Sequence, residues 1–211
     1  MEYIIRIERP QDYKAVETLT REAFWNLYVP GCNEHYLLHR LRSSPGFLPE
    51  LSLVAEWEGA VLGHIAFTRG RLVREGDSPL EVFSFGPLSV WPRLQGKGIG
   101  GALVRRGLKD AREMGCTAVC IYGDPRYYSR FGFRCAEKYD IRTADGKFAA
   151  ALLALELVPG VLSQGAGRFV EDPAFDVDMS DFDVYDSGFE PKERLETESQ
   201  RVFSVIAGLR Y

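Results

Sequence analysis

Apolar positions along this chain change their spacing several times, and each change predicts an element. YIIRIER, residues 3 to 9, alternates as a half-buried strand does, and Pro10 with Asp12 then opens a stretch from Ala15 to Leu27 in which Val16, Leu19 and Ala23 recur at helical spacing. A second helix is expected over Glu34 to Arg42. LSLVAEWEGAVLGHIAF carries two apolar runs joined at Glu58-Gly59, a hairpin signal, and LEVFSFGPLSV reads as a long strand interrupted at Gly86-Pro87, where a bulge or splay is expected. Further on, Ile99, Leu103, Val104, Leu108 and Ala111 form a helix stripe that closes at Gly115. TAVCIYGD then reads as a buried strand, PRYYSRFGF as a short helix and turn, and FRCAEKYDI and KFAAALLALEL as further strands. The order is one strand, two helices, three strands, then helix and strand in alternation with a closing strand, which makes the fold class mixed α/β (α+β).

Beyond Pro159 the pattern changes character. From Glu171 to Glu190 the chain carries Asp172, Asp176, Asp178, Asp181, Asp183 and Asp186 with no Lys or Arg, yet its phenylalanines argue against simple disorder. PKERLETESQRVFSVIAGL after it permits a helix whose apolar turn could dock on the domain or on a second copy, as a homodimer. The division expected is a main domain over residues 1–175 and a C-terminal acidic segment with terminal helix over residues 176–211.

Composition narrows the function. A length of 211 residues suits one well-buried domain with an appendage, and a formal charge of -4 gives no overall attraction to nucleic acid or to anionic lipid. Glu2 and Arg6 interrupt the first apolar run and no stretch reaches membrane-spanning length, so a cytoplasmic protein without membrane partner is expected. The four cysteines, Cys32, Cys116, Cys120 and Cys135, form no CxxC pair and read as reduced, structural thiols. His35 and His39 have the i, i+4 spacing of zinc helices, but Tyr36 stands where HExxH needs glutamate; no metal is expected, and the pair reads as a helix surface near an acceptor cleft. His64 reads as a satisfied strand residue.

Candidate chemistry concentrates in LQGKGIGGALV, residues 94 to 104, which reads GxGxxG through Gly96, Gly98 and Gly101. Glycines let a backbone approach phosphate oxygens, and the helix start that follows offers unpaired N–H groups, so the loop predicts an anion. A nicotinamide-dependent oxidoreductase is one alternative, because Asp124 lies at the distance of a ribose-binding acid. Against it, Trp91 to Gln95 separate the strand from the glycines and no second mononucleotide half follows. A Walker A loop needs Ser or Thr where Gly98 stands, and the HRD and DFG triplets of a kinase are absent.

GPLSVWPRLQGKGIGGALV followed by YGDPRYYSRFGF resembles the GNAT superfamily of acetyl-CoA-dependent N-acetyltransferases, whose loop runs Gln/Arg-x-x-Gly-x-Gly/Ala, filled here by Gln95, Gly98 and Gly100. Tyr128, four and five residues before Gly132 and Phe133, matches the superfamily's tyrosine ahead of a Gly-Phe pair. The GDP-x-YY-x-RFGF form and the ALEL-PG ending look like a bacterial branch of undefined substrate, and the likeness covers roughly residues 3 to 157.

The resemblance implies a GNAT-type fold, a mixed sheet splayed where acetyl-CoA enters, and direct acetyl transfer to a primary amine of a small molecule or peptide. It implies that Leu88, Ser89 and Val90 pair with the pantetheine arm and that one of their N–H groups binds the thioester oxygen. The loop Gln95, Gly96, Lys97, Gly98, Ile99, Gly100 and Gly101 would hold the pyrophosphate, with Arg93 and Lys97, and Arg105 or Arg106 in reserve, meeting its charge. It assigns to Tyr128 the proton donated to the leaving thiolate, with Tyr127 as competing neighbour.

Removing a proton from a lysine-like amine at pH 7 costs about 4.6 kcal/mol, so a base is needed. Glu81 is the first candidate, ahead of the splayed strand, and a carboxylate of the acidic segment could serve if that segment folds over the cleft. Phe24, Trp25, Tyr28 and Tyr36 read as core in preference to an acceptor pocket. A non-catalytic acyl-CoA sensor remains the other alternative.

Overall fold

In the computed structural model, which describes residues 2–74, 76, 78–163 and 167–211, the first alternating segment becomes β1 (Ile4–Ile7), pairing antiparallel with β2 (Leu53–Trp57). β2 turns at Glu58-Gly59, both at positive φ, into β3 (Ala60–Val73), which pairs antiparallel with β4 (Leu80–Val90). The first crossover carries α1 (Tyr13–Phe24) and α2 (Glu34–Leu41); α3 (Ile99–Glu113) returns the chain to β5 (Ala118–Tyr122). Alternation along β2 sorts the two faces: Leu53 and Ala55 join Leu103, Val104 and Phe67 against α3, while Val54 packs with Val16, Leu19 and Leu38 of α1 and α2. Helices cover both faces of the central strands, which is why β3 is buried from Val61 to Thr68.

Short α4 (Pro125–Tyr128) follows β5, capped by the Asp124 carboxylate, which accepts the Arg126 N–H at 2.8 Å. FRCAEKYDI is not one strand. It divides into β6 (Arg134–Cys135), a 3-10 turn over Ala136–Tyr139 and β7 (Ile141–Arg142), because Asp140 adopts the left-handed region at φ 50°. KFAAALLALEL gives only β8 (Leu152–Glu156), which pairs with β5 and β6. Its first residues bond the chain end instead: the Phe148 N–H donates to Tyr211 O and the Ala150 N–H to Leu209 O. β9 (Gly167–Val170), unanticipated from the apolar pattern, is stitched antiparallel to β3 and parallel to β7.

The acidic segment folds onto the preceding domain. Asp186, at the end of α5 (Phe182–Asp186), bonds Arg21 Nε at 2.7 Å and His35 Nε2 at 2.9 Å, and Lys192 pairs with Glu22 at 2.8 Å. α6 (Glu198–Gly208) then runs beside the end of α1, with Phe203 stacked on Tyr28 at 4.2 Å between ring centroids. His35 is therefore fully buried rather than a surface residue, boxed edge-on by Phe182 and Phe189. Burial holds its imidazole down at about 4, despite the opposing pull of Asp186.

Candidate active site

β4 and β5 run parallel but pair only at Phe83 and Val119, and beyond that point they separate. The separation coincides with a bulge: Phe85 faces Phe67 and Leu88 faces Ile65, so Gly86 and Pro87 stand opposite Ala66 alone. Past Phe83, β4 has a strand on one side only, and its other edge opens into a cleft of about 640 Å³.

Gly98 caps α3 with no side-chain capping bond and holds φ at +87°, a conformation that costs an L residue about 1–2 kcal/mol. The first N–H groups of α3 have no acceptor within the helix and so are left for a ligand. Of the cofactor residues expected from the sequence, Leu88, Val90, Gln95, Gly96, Gly98, Ile99, Gly100, Gly101 and Tyr128 line this cleft together. Ser89 does not: its hydroxyl is buried against Thr20 Oγ1 at 2.9 Å, behind the sheet. Arg93 and Lys97 are exposed and stand outside the lining, where Arg105 and Arg130 supply the cations instead. Arg106 is taken by Asp110.

Both tyrosines of α4 reach the cleft. The Tyr127 hydroxyl lies 3.2 Å from where a Cβ on Gly100 would sit, close over the glycine loop. The Tyr128 ring packs among Phe85, Phe133 and Phe131, and it lies so close to Gly123 that a Cβ there would stand 2.5 Å from Cε2. Gly123 is thus required for Tyr128 to take this place. Burial, then Tyr28, Tyr127 and Asp124, push the Tyr128 phenol above its usual range, so it stays protonated at neutral pH.

A second cavity of about 960 Å³ meets the first at Tyr28, Glu34, Phe85, Gly86, Tyr122 and Phe175. Its further wall comes from α6, through Val202, Phe203, Ile206 and Ala207. Two carboxyls face it that have no basic partner among the described residues. Burial pushes Glu34 up to about 7 against the opposing N–H of Asn33, and burial alone does the same to Glu171. Glu34 heads α2 and Glu171 follows β9. No apolar period or motif marks either position, although Glu171 opens the acidic run visible in the sequence.

Glu81 does not reach either cavity. It is exposed near the start of β4, bonded to Arg69 Nη1 at 2.6 Å, because the bulge that makes the cleft lies five positions further along the strand. Phe24 and Tyr28, expected in the core, line the first cavity, while Tyr36 is buried against α5 and Trp25 under Arg21. Asp124 is engaged by its own helix and by Arg126, which removes the ribose contact on which the oxidoreductase reading depended. His64 is buried with Nε2 on Ser52 Oγ at 3.0 Å. Among the described residues no group of three or more His, Cys, Asp or Glu is arranged to hold a metal ion, and no helix is long and apolar enough to cross a membrane.

Known proteins share this architecture. The family description "Acetyltransferase (GNAT) family" matches residues 16–133. The uncharacterized N-acetyltransferase YhbS of Escherichia coli K12 is 38% identical over 140 residues, 66% of this chain and 78% of its own length. The uncharacterized N-acetyltransferase YjhQ of the same strain is 48% identical over 89 residues, 42% of this chain, with the match spanning about half (49%) of that relative. The crystal structure of Escherichia coli YhbS in complex with CoA superimposes with a TM-score of 0.72 at 30% identity, over 83% of this chain and 93% of that one. A GNAT family acetyltransferase from Brucella melitensis in complex with acetyl-CoA gives 0.66 at 33% identity, over 83% and 99%. Sequence, splayed sheet and glycine loop agree, and the chain belongs to the GNAT family of acetyltransferases.

Proposed function

We propose that this chain transfers the acetyl group of acetyl-CoA directly to a primary amine of a small molecule or peptide. The observation that carries the reading is the meeting of the two cavities at the β4 bulge, with a protonated Tyr128 on one side and the carboxyl of Glu34, without an ion pair among the described residues, on the other. The loop fits the carrier: main-chain N–H groups at the start of α3 face a diphosphate, Arg105 and Arg130 meet its charge, and the free edge of β4 at Leu88 and Val90 pairs with the pantetheine arm.

Glu34 takes one proton from the bound ammonium, which a carboxyl held near 7 does far better than one in its ordinary range. As the nitrogen bonds to the carbonyl carbon, an N–H group of β4 beside the bulge receives the charge growing on oxygen. The carbon–sulfur bond breaks with its electron pair on sulfur, and Tyr128 supplies the proton that completes the thiol. The second proton lost by nitrogen restores Tyr128 through water, and Glu34 releases the first to solvent, so that ammonium and thioester give amide, thiol and one proton.

Calorimetry with coenzyme A, followed by thiol release with a panel of amines, tests this directly. Tyr128→Phe should lower kcat by about 100-fold or more while leaving coenzyme A affinity within about twofold. Unchanged turnover would remove Tyr128 from the mechanism. Coenzyme A binding with no amine-dependent thiol release would leave a sensor in place of an enzyme.

A further inference from the structure

The second cavity is chemically lopsided. Glu34 stands where it joins the first and Glu171 lines the second cavity alone, neither ion-paired among the described residues, whereas its other carboxylates have cationic neighbours: Asp124 has Arg126, Asp145 has Lys147 and Glu198 has Arg201. Past Glu198 and Ser199 at its start, α6 presents Val202, Phe203, Ile206 and Ala207, side chains without nitrogen or oxygen, and Arg126 and Arg210 complete the charged part of the lining. A cation is therefore attracted to the junction, beside the thioester carbonyl, and whatever carries it lies along α6.

Resting on the acetyl-transfer reading above, we infer that the acceptor is a primary amine borne on an uncharged apolar body, for which an aromatic ring on a short linker is the simplest probe. Glu34 holds the amine at the junction, Glu171 adds negative charge from within the second cavity, and α6 covers the body. A second ammonium, as in a polyamine, would be stripped of water against Phe203 and Ile206, where the remaining carboxylates of the lining, Asp145 and Glu198, already have cationic neighbours. A carboxylate on the carbon next to the amine would lie beside Glu34 with Glu171 further into the same cavity and be repelled, which disfavours free α-amino acids. Burying a phenyl ring against such a wall is worth a factor of about 10 to 100 in affinity.

The test compares phenethylamine, putrescine and phenylalanine. Each is titrated by calorimetry into the coenzyme A-loaded protein, and each is assayed as acceptor at saturating acetyl-CoA. Phenethylamine should bind at least about tenfold more tightly than the other two and have the highest kcat/KM. Phe203→Ala should raise its Kd and KM by about tenfold with no change in the KM of acetyl-CoA, since Phe203 lines only the second cavity. Ile206→Ala, which trims the wall without disturbing the Tyr28 stack, should raise them by a smaller factor. Glu171→Gln should weaken phenethylamine and putrescine while relieving the exclusion of phenylalanine. Preference for putrescine or phenylalanine, or indifference of phenethylamine binding to both α6 variants, would overturn the inference and leave acetyl transfer standing. Failure of phenethylamine to bind the loaded protein would overturn it as well, whereas failure of coenzyme A itself to bind would remove both readings.

Discussion

The two cavities that meet at the bulge are built in opposite ways. The donor side draws on a nearly continuous run, β4 through the start of α3, and offers main-chain groups held by strand pairing and by a helix N-terminus. The acceptor side is assembled from α2, the residue after β9, the loop around Thr143 to Ala151 and α6, and offers side chains held by tertiary contacts. A main-chain site tolerates change in most of the side chains around it. A side-chain site depends on every element that carries it, and here the last of those elements is clamped to the rest by a few polar contacts.

The sharpest way to separate the two sides is to loosen the segment that leads into α6, which Asp186 of α5 ties to Arg21 and His35. Asp186→Asn leaves Arg21, 3% exposed, without its carboxylate, and losing one partner of a buried pair costs about 3 kcal/mol. Denaturant unfolding should show that loss, and the KM for amine should rise severalfold while coenzyme A still binds with nearly its original affinity. An equal loss on both sides would show that the cavities are one cooperative unit.

A smaller effect should appear in the pH dependence of kcat. Glu34 becomes a competent base as it loses its proton, so kcat should rise as pH increases through about 7 and then level off. Burial raises it, and its own backbone N–H and that of Asn33 oppose the rise. Glu34→Gln should abolish that inflection together with most of the turnover. The same shift has the opposite sign for stability: the folded pKa lies above the unfolded value, the folded state holds more protons between about 4.3 and 7, and the contribution present below that window is lost as pH rises through 7.

The smallest effect is expected at Glu81. Its pair with Arg69 is solvent-exposed, so Glu81→Ala should change stability by no more than about 0.5 kcal/mol and leave both KM values within about twofold. A collapse of kcat in that variant would return the base to β4.

The same contrast explains what could be read in advance. The glycine loop, the α3 stripe and the Gly86-Pro87 interruption are local signals, because each depends on residues adjacent in sequence, and the splay and the cleft lining followed from them. Ser89, Arg93 and Lys97 lay in the same run yet face elsewhere, since register along a strand and the turn of a loop decide which side chain points inward. β9 was missed because GRFV has too few residues to show a period, and its place is fixed by partners nearly a hundred positions earlier. The Glu34 carboxyl is raised by burial, which depends on the folded chain and leaves no mark in the residues next to it. Glu81 was chosen by position along β4, and only the pairing with β5 shows where the strand becomes useful.

Because α6 hangs outside the sheet and borders only the acceptor side, replacing its sequence would alter which molecules are accepted without touching the strands that grip the carrier. On the proposed reading, one peripheral helix sets the clientele while the sheet keeps a separate engine for acyl activation.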